Sequence, residues 1–237
     1  DAGMGFGTSA TERVRIDASG RVSIGHSSTT QDLEVFNTTS DSEAKLTVTA
    51  QSSGGNTSTL RLRANRNDTK GSNTIVTNGQ FIGQILFQGA DGSDYANAAR
   101  IYATVDGAPG SNDMPGAINF GTSADGSEGL THRMIIDSSG NVGIGTASPA
   151  MPLHIVNSSG GRIMLHRSSG DSSNLLGSIM FGANDGDTNL AMIASYQDGA
   201  TDAAYISFET EATGGSITER MRIHSNGSIT FGTTIVG

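Results

Sequence analysis

Short runs of alternating apolar and polar residues recur along the chain, separated by clusters of Gly, Ser, Asn, Asp and Pro. A period of two is the signature of a half-buried β-strand. It predicts strands in pairs that echo one another: LEVFN (residues 33–37) and LHIVN (153–157), LTVTA (46–50) and RIMLH (162–166), GQILF (83–87) and GSIMF (177–181). RIYATV (100–105) pairs with MIASY (192–196), and GAINF (116–120) with AYISF (204–208). The spacers SSGGNTST, PGSNDMPG and DGATDAA carry turn chemistry. SDSEAKL (40–46) has the form of a capping box, but the β-branched LTVTA after it favours a strand. The expected class is all-β.

One hairpin is written three times: ERVRIDASGRVSIG (12–25), HRMIIDSSGNVGIG (132–145) and ERMRIHSNGSITFG (219–232). Gly20, Gly140 and Gly227 hold the same turn position, where glycine supplies a positive φ. One face of the hairpin carries Val14, Ile16, Val22 and Ile24 in the first copy. Met134, Ile136, Val142 and Ile144 stand there in the second, and Met221, Ile223, Ile229 and Phe231 in the third. Arg13, Arg15, Arg133, Arg220 and Arg222 recur on the outward face, near Glu12 and Glu219. A solvated face would give such arginines little energetic weight. Identical chains in register would instead repeat their ion pairs along an axis, so we expect them to fix inter-chain register.

A longer block recurs as residues 82–122 and 176–210: Phe87 matches Phe181, Gly92 matches Gly186, Ile101 matches Ile193, and Phe120 matches Phe208. Phe6 matches the end of the block. The expected modules are the tail of a preceding one (1–11), a first (12–122), a second (123–210), and a hairpin opening a third (211–237). Phe6 to Phe120 is 114 residues and Phe120 to Phe208 is 88, so loops vary around fixed strands.

Composition changes the picture by limiting the core. The chain has 33 Gly, no Trp, and few large apolar residues outside the alternating runs. Four apolar side chains do not offset the entropy of ordering a hairpin, so its face needs a cover. Neighbouring strands would supply it in a monomer; two further copies around a three-fold axis would supply it in a fibre, each chain giving part of the core. The net charge of −9 opposes nucleic-acid binding. No apolar run is long enough for membrane insertion as a helix, and no signal peptide is visible. Position 1 is Asp, which suggests a fragment or a processed product. Zero cysteine excludes a disulfide framework and a thiolate metal site.

The wording of the hairpin, followed by a leucine-led strand as in GTASPAMPLHIV (145–156) and preceded by PGAINF or AAYISF, resembles the repeats of tail fibres of tailed bacteriophages. In that family such repeats often precede a self-cleaving intramolecular chaperone domain. The resemblance runs through nearly the whole chain. It implies an elongated homotrimeric fibre on the virion tail, with triple β-helix or β-prism-like modules, joined to other tail proteins and used for host attachment. It also implies that the chain stops after its third hairpin because a chaperone was removed. The copies depart from one another at Arg21, His26 and His224, where another copy has Asn141, Thr146 and Asp137. The alternative fold is a row of small β-sandwiches.

Candidate chemistry is sparse. Asp185, Asp187 and Asn189 alternate as calcium ligands would, but the glycine and the bidentate glutamate of such a loop are missing, so a polar turn is expected. Glu209 and Glu211 share a strand face as an acid–base pair would, yet Gly121 and Ser123 replace them in the first module. Their expected role is a solvated strand end; Asp198, Asp202 and Glu128 are expected to be ordinary loop residues. His26, His132, His154, His166 and His224 form no metal spacing. Asn37, Asn56, Asn67 and Asn157 open Asn-x-Ser/Thr sequons that a Thr/Ser-rich chain acquires by chance. No cofactor, metal or catalytic role is expected. Variable loops at 88–99, 106–116 and 198–204 are the candidate receptor surface, with Tyr95 a candidate weak contact to a host cell-surface glycan. Two other functions compete: a polysaccharide-cleaving tailspike working through Glu209 or Asp187, and a bacterial surface adhesin.

Overall fold

The computed structural model describes residues 4–8, 11–24, 33–35, 49, 54, 57–69, 72–168, 175–183, 190–199 and 202–232. Every regular element among them is a strand. The fold is all-β. A four-stranded sheet has the order β1 (Met4–Thr8), β2 (Thr11–Ile16), β3 (Val22–Ile24), β4 (Leu33–Val35). A six-stranded sheet contains β5 (Phe81–Ala90), β6 (Tyr95–Val105), β7 (Gly116–Ser123), β8 (Leu130–Ile136), β9 (Val142–Ile144) and β10 (Leu153–Ile155), in the order β10-β9-β8-β7-β6-β5. A five-stranded sheet follows: β11 (Leu175–Phe181), β12 (Ala191–Gln197), β13 (Ala204–Thr210), β14 (Thr218–Ile223), β15 (Ile229–Phe231). The chain divides into two compact units, Asp1–His132 with Ile136–Ser139, and Arg133–Ile135 with Gly140–Gly237; the boundary falls within β8.

Each sheet follows chain order, and the three repeated hairpins close on short glycine turns. In the first hairpin the Asp17 N–H donates to Arg21 O at 3.0 Å and the Gly20 N–H to Asp17 O at 3.0 Å. In the third, the His224 N–H donates to Ser228 O at 2.8 Å and the Gly227 N–H to His224 O at 2.9 Å. This is a tight turn whose last residue is left-handed, and Gly20, Gly140 and Gly227 sit at φ of 81°, 84° and 79°. Nothing lies within 4 Å of a Cβ placed at any of the three, so backbone conformation alone dictates the glycine.

One predicted strand is not formed. Residues 161–167, which include RIMLH, form no strand. Leu165 instead packs against β11: a Cβ placed at Gly177 would lie 2.6 Å from the Leu165 Cβ. LRLR (60–63), which the alternation reading did not single out, does the same in the first unit, with the Leu62 Cβ 2.7 Å from a Cβ placed at Gly83. Missing side chains at Gly83 and Gly177 leave room for these segments to pack against the sheet. LTVTA and SDSEAKL fall on residues of which only Thr49 is described.

Candidate functional site

The registers align the apolar positions into transverse rows. In the first sheet Phe6 pairs with Val14, and Val14 with Ile24; Met4, Ile16, Val22 and Leu33 form the next row. In the six-stranded sheet Ile85, Ile101 and Phe120 are cross-strand partners, as are Ile144 and Ile155. The five-stranded sheet repeats the row as Ile179, Ile193, Phe208, Met221 and Phe231, with Ile206, Ile223 and Ile229 beside it. Directly opposed partners share a face, so the four-stranded and five-stranded sheets each carry one continuous apolar face.

Within one chain this face is open. Phe87 is 50% exposed and Phe231 68%; Phe6, Ile24, Leu33, Ile85, Ile118, Ile136, Ile144, Ile179, Ile206 and Ile229 are exposed too. Among the described residues the buried apolar set is Val76, Tyr102, Val105, Ala117, Ile135, Met192 and Ala194. Three of the buried polar residues, Ser23, Asn119 and Ser207, lie on the opposite face, while Gln197 ends the apolar row of β12. Ser23 and Ser207 are 0% exposed, and Asn119 is buried beside Tyr102, its register partner. Burial is thus inverted relative to a sheet that packs on its own core.

Long side chains occupy the polar face. The Arg222 guanidinium lies 3.8 Å above the Tyr205 ring. Its Nε donates to both oxygens of Glu219 at 3.0 Å and its terminal nitrogen to Oε2 at 2.7 Å. This pairing raises the Arg222 pKa. Arg220 donates to Thr210 Oγ1 at 2.9 Å. Both contacts are within the chain. A β-bulge explains why the two arginines differ: Phe208 opposes Met221 while Glu209 opposes Glu219, leaving Arg220 as the extra residue. The first hairpin repeats it, with Phe6 opposite Val14, Gly7 opposite Glu12, and Arg13 extra. Arg15 pairs in register with Ser23, and Arg133 lies on β8.

Some devices were not legible from spacing. Asp198 accepts from the Ser225 hydroxyl at 2.6 Å and from its N–H at 3.2 Å, so this loop aspartate clamps the hairpin turn. Those bonds, hydroxyl first, hold its pKa below the usual carboxylate value. Asp106 does likewise in the first unit, accepting from the Ser138 N–H at 2.7 Å. The expectation that Asp198 is an ordinary loop residue is therefore corrected. Its signal was present: Asp106 and Asp198 each directly follow a repeated strand.

The other candidates are scattered. Glu209 accepts from Ser207 Oγ at 2.6 Å and from Tyr196 O–H at 3.2 Å, and burial, then this carboxylate, pushes the Tyr196 phenol up to about 12. Tyr95 is exposed at the start of β6, where Gln88 Nε2 donates to its carbonyl at 3.3 Å. His154 Nδ1 accepts from the Ala150 N–H at 3.3 Å, and His224 meets Thr230 Oγ1 at 3.1 Å. No group of His, Asp and Glu suited to a metal occurs among the described residues. Asp185, Asp187, Asn189 and His26 lie outside them. No helix among them is long and apolar enough to cross a membrane.

No family model and no curated protein matches the chain. Nine chains of solved structures resemble it, two of them from one fibre. One is the carboxy-terminal domain of the bacteriophage T5 L-shaped tail fibre with its intramolecular chaperone domain: 15% identity, 81% of this chain and 63% of that one covered, TM-score 0.42. The other is the carboxy-terminal domain of the same fibre: 14% identity, 81% and 92% covered, TM-score 0.35. Both superpositions are loose.

Proposed function

We propose that this chain is a segment of a bacteriophage tail fibre in which three copies cover one another's apolar faces, and that the shaft so formed serves host-surface attachment. The carrying observation is the open apolar row, built in the same register around the first and third hairpins. A patch of this kind on a soluble protein marks an interaction surface. Identical rows repeated along one chain favour a partner with identical spacing, which is another copy of itself. A groove in the second unit supports this. Ile163 and Leu165 form one wall, and Ile179, Ile193 and Ile206 line the rest, around about 490 Å3 of space fit for side chains of a neighbouring copy.

The reading includes the virion tail as location and elongated β-prism-like modules as architecture. It assigns receptor contact to loops and the polar face, and it includes no catalysis. The bonds from Ser207 and Tyr196 to Glu209 support a positioning role for that carboxylate. Arg13, Arg15, Arg133 and Arg220 remain the proposed register contacts between copies, Arg222 being paired with Glu219 within the chain. Amine cross-linking is a poor choice with only Lys45 and Lys70 in the chain, so carboxylate cross-linking followed by a denaturing gel is the suitable test. A ladder ending at three copies is expected. A single band at one copy over a wide concentration range would overturn the proposal.

A further inference from the structure

The polar face of the first unit holds an arginine for which the described residues supply no acceptor at Nε. Arg100 lies 4.1 Å over the Tyr102 ring and 5.3 Å from the Phe81 centroid. The two rings stack at 5.0 Å. A bulge makes this possible: the register shift between Phe81 and Gly83 brings Phe81 opposite Thr104, onto the face of Tyr102. Gly121 is the cross-strand partner of Arg100, and a Cβ there would stand in ordinary contact with the arginine, 3.5 Å from its Nε. No carboxylate pairs with Arg100 among the described residues, and its Nε is buried without an acceptor. His132 stands near enough for the guanidinium, after burial, to lower its pKa, and its Nε2 is likewise buried without a partner.

The repeat supplies the control. In the second unit the positions of Arg100, Gly121 and His132 carry Met192, Glu209 and Glu219. There the stacked arginine, Arg222, is neutralised by Glu219. The first unit has a stacked guanidinium of the same kind and has lost both carboxylates. A guanidinium held on aromatic rings loses little freedom on binding, and its fork matches a carboxylate. Beside it, Phe81, Ile82, Gly83, Gln84 and Arg100 line an open hollow of about 420 Å3. Gln84 brings an amide there that can both donate to and accept from sugar hydroxyls.

We propose that Arg100, with Gln84 and the adjoining hollow, is a binding site for the carboxylate of an acidic sugar in a surface glycan. This deepens the attachment reading and rests on it, because burial of the apolar face in an assembly leaves this opposite face outward. It places the ligand contact on the sheet, away from Tyr95 at the end of β5–β6.

The test is saturation-transfer difference NMR on the assembled protein, with sodium glucuronate, glucose and inorganic phosphate as separate probes. Light scattering on each sample reports its mass. Saturable transfer to glucuronate and none to glucose is expected. Arg100→Gln should weaken glucuronate at least about tenfold, in line with loss of a charge-assisted bond. Gly121→Glu, which places the second unit's carboxylate beside Arg100, should do the same at unchanged mass. Arg222→Gln should leave glucuronate affinity within about twofold, its guanidinium being already paired. Absent glucuronate binding, binding of phosphate alone, or equal loss in Arg222→Gln would overturn this site. A trimeric mass with any of those results leaves the fibre reading standing; a single-copy mass removes the reading itself.

Discussion

Phe87→Ala is the most informative single change on the apolar face. Phe87 lies two residues along β5 from Ile85 and is 50% exposed in the single chain. Full burial of a phenylalanine contributes roughly 3 kcal/mol, so covering the exposed half contributes about 1.5 kcal/mol per chain. Three chains lose about 4.5 kcal/mol together, which is roughly three orders of magnitude in the association constant of a trimer. In a chain that never associates, the same substitution trims an exposed ring and changes stability by about 0.5 kcal/mol or less. The two cases are therefore far apart. Sedimentation equilibrium over a dilution series reads the constant directly for wild type and variant. Phe181→Ala, at the matching place on β11, should behave in the same way. An association constant that moves less than about threefold in both variants would refute the reasoning, because the face would then be open in the particle as well.

Three further outcomes follow from the geometry. Gly227→Val forces a β-branched residue to φ near 79°, so a loss of about 1–3 kcal/mol is expected by thermal unfolding, although the position itself is uncrowded. Asp198→Ala should loosen the third hairpin, seen as faster hydrogen exchange at Ser225. Because the folded-state pKa of Asp198 lies below 3.8, its contribution is present above that pH and fades as pH falls through the folded value, and the variant should lack that acid dependence. For Tyr196 the sign is opposite. Its folded pKa near 12 exceeds the unfolded value of 10, so stability falls between those two pH values, and ultraviolet titration of Tyr196→Phe should lack the late phase.

The strands and their facing were legible in the sequence because a period of two is a direct image of the pleat. Phe6 and Phe208 do meet the same hairpin position, opposite Val14 and Met221. The features that alternation hid are those that break it. A bulge makes Arg220 the extra residue while Arg222 lies over Tyr205, and no spacing rule separates two arginines set two apart. Phe81 reaches the polar face through another bulge, so its stacking on Tyr102 was invisible. RIMLH alternates as a strand does, yet it packs against one; Gly177 at the contact was the overlooked sign. Asp106 and Asp198 were hidden by abundance, since an acidic residue after a strand is common in any turn-rich chain.

Arg100 and Arg222 stand on one repeated scaffold in different electrostatic surroundings. Both lie over a tyrosine on the polar face of a repeated sheet. Arg222 is closed by Glu219 and Arg100 has no such carboxylate among the described residues, a difference written in a few side chains while the apolar rows stay constant. In the proposed fibre, such a division suits a shaft whose inner face must repeat and whose outer face is free to vary.

Multi-angle light scattering on the eluting wild-type protein tests the central claim most directly. A mass three times the chain's 24.3 kDa, held on dilution, is what mutual covering of the apolar faces requires. A monodisperse peak at 24.3 kDa that stays folded would contradict it.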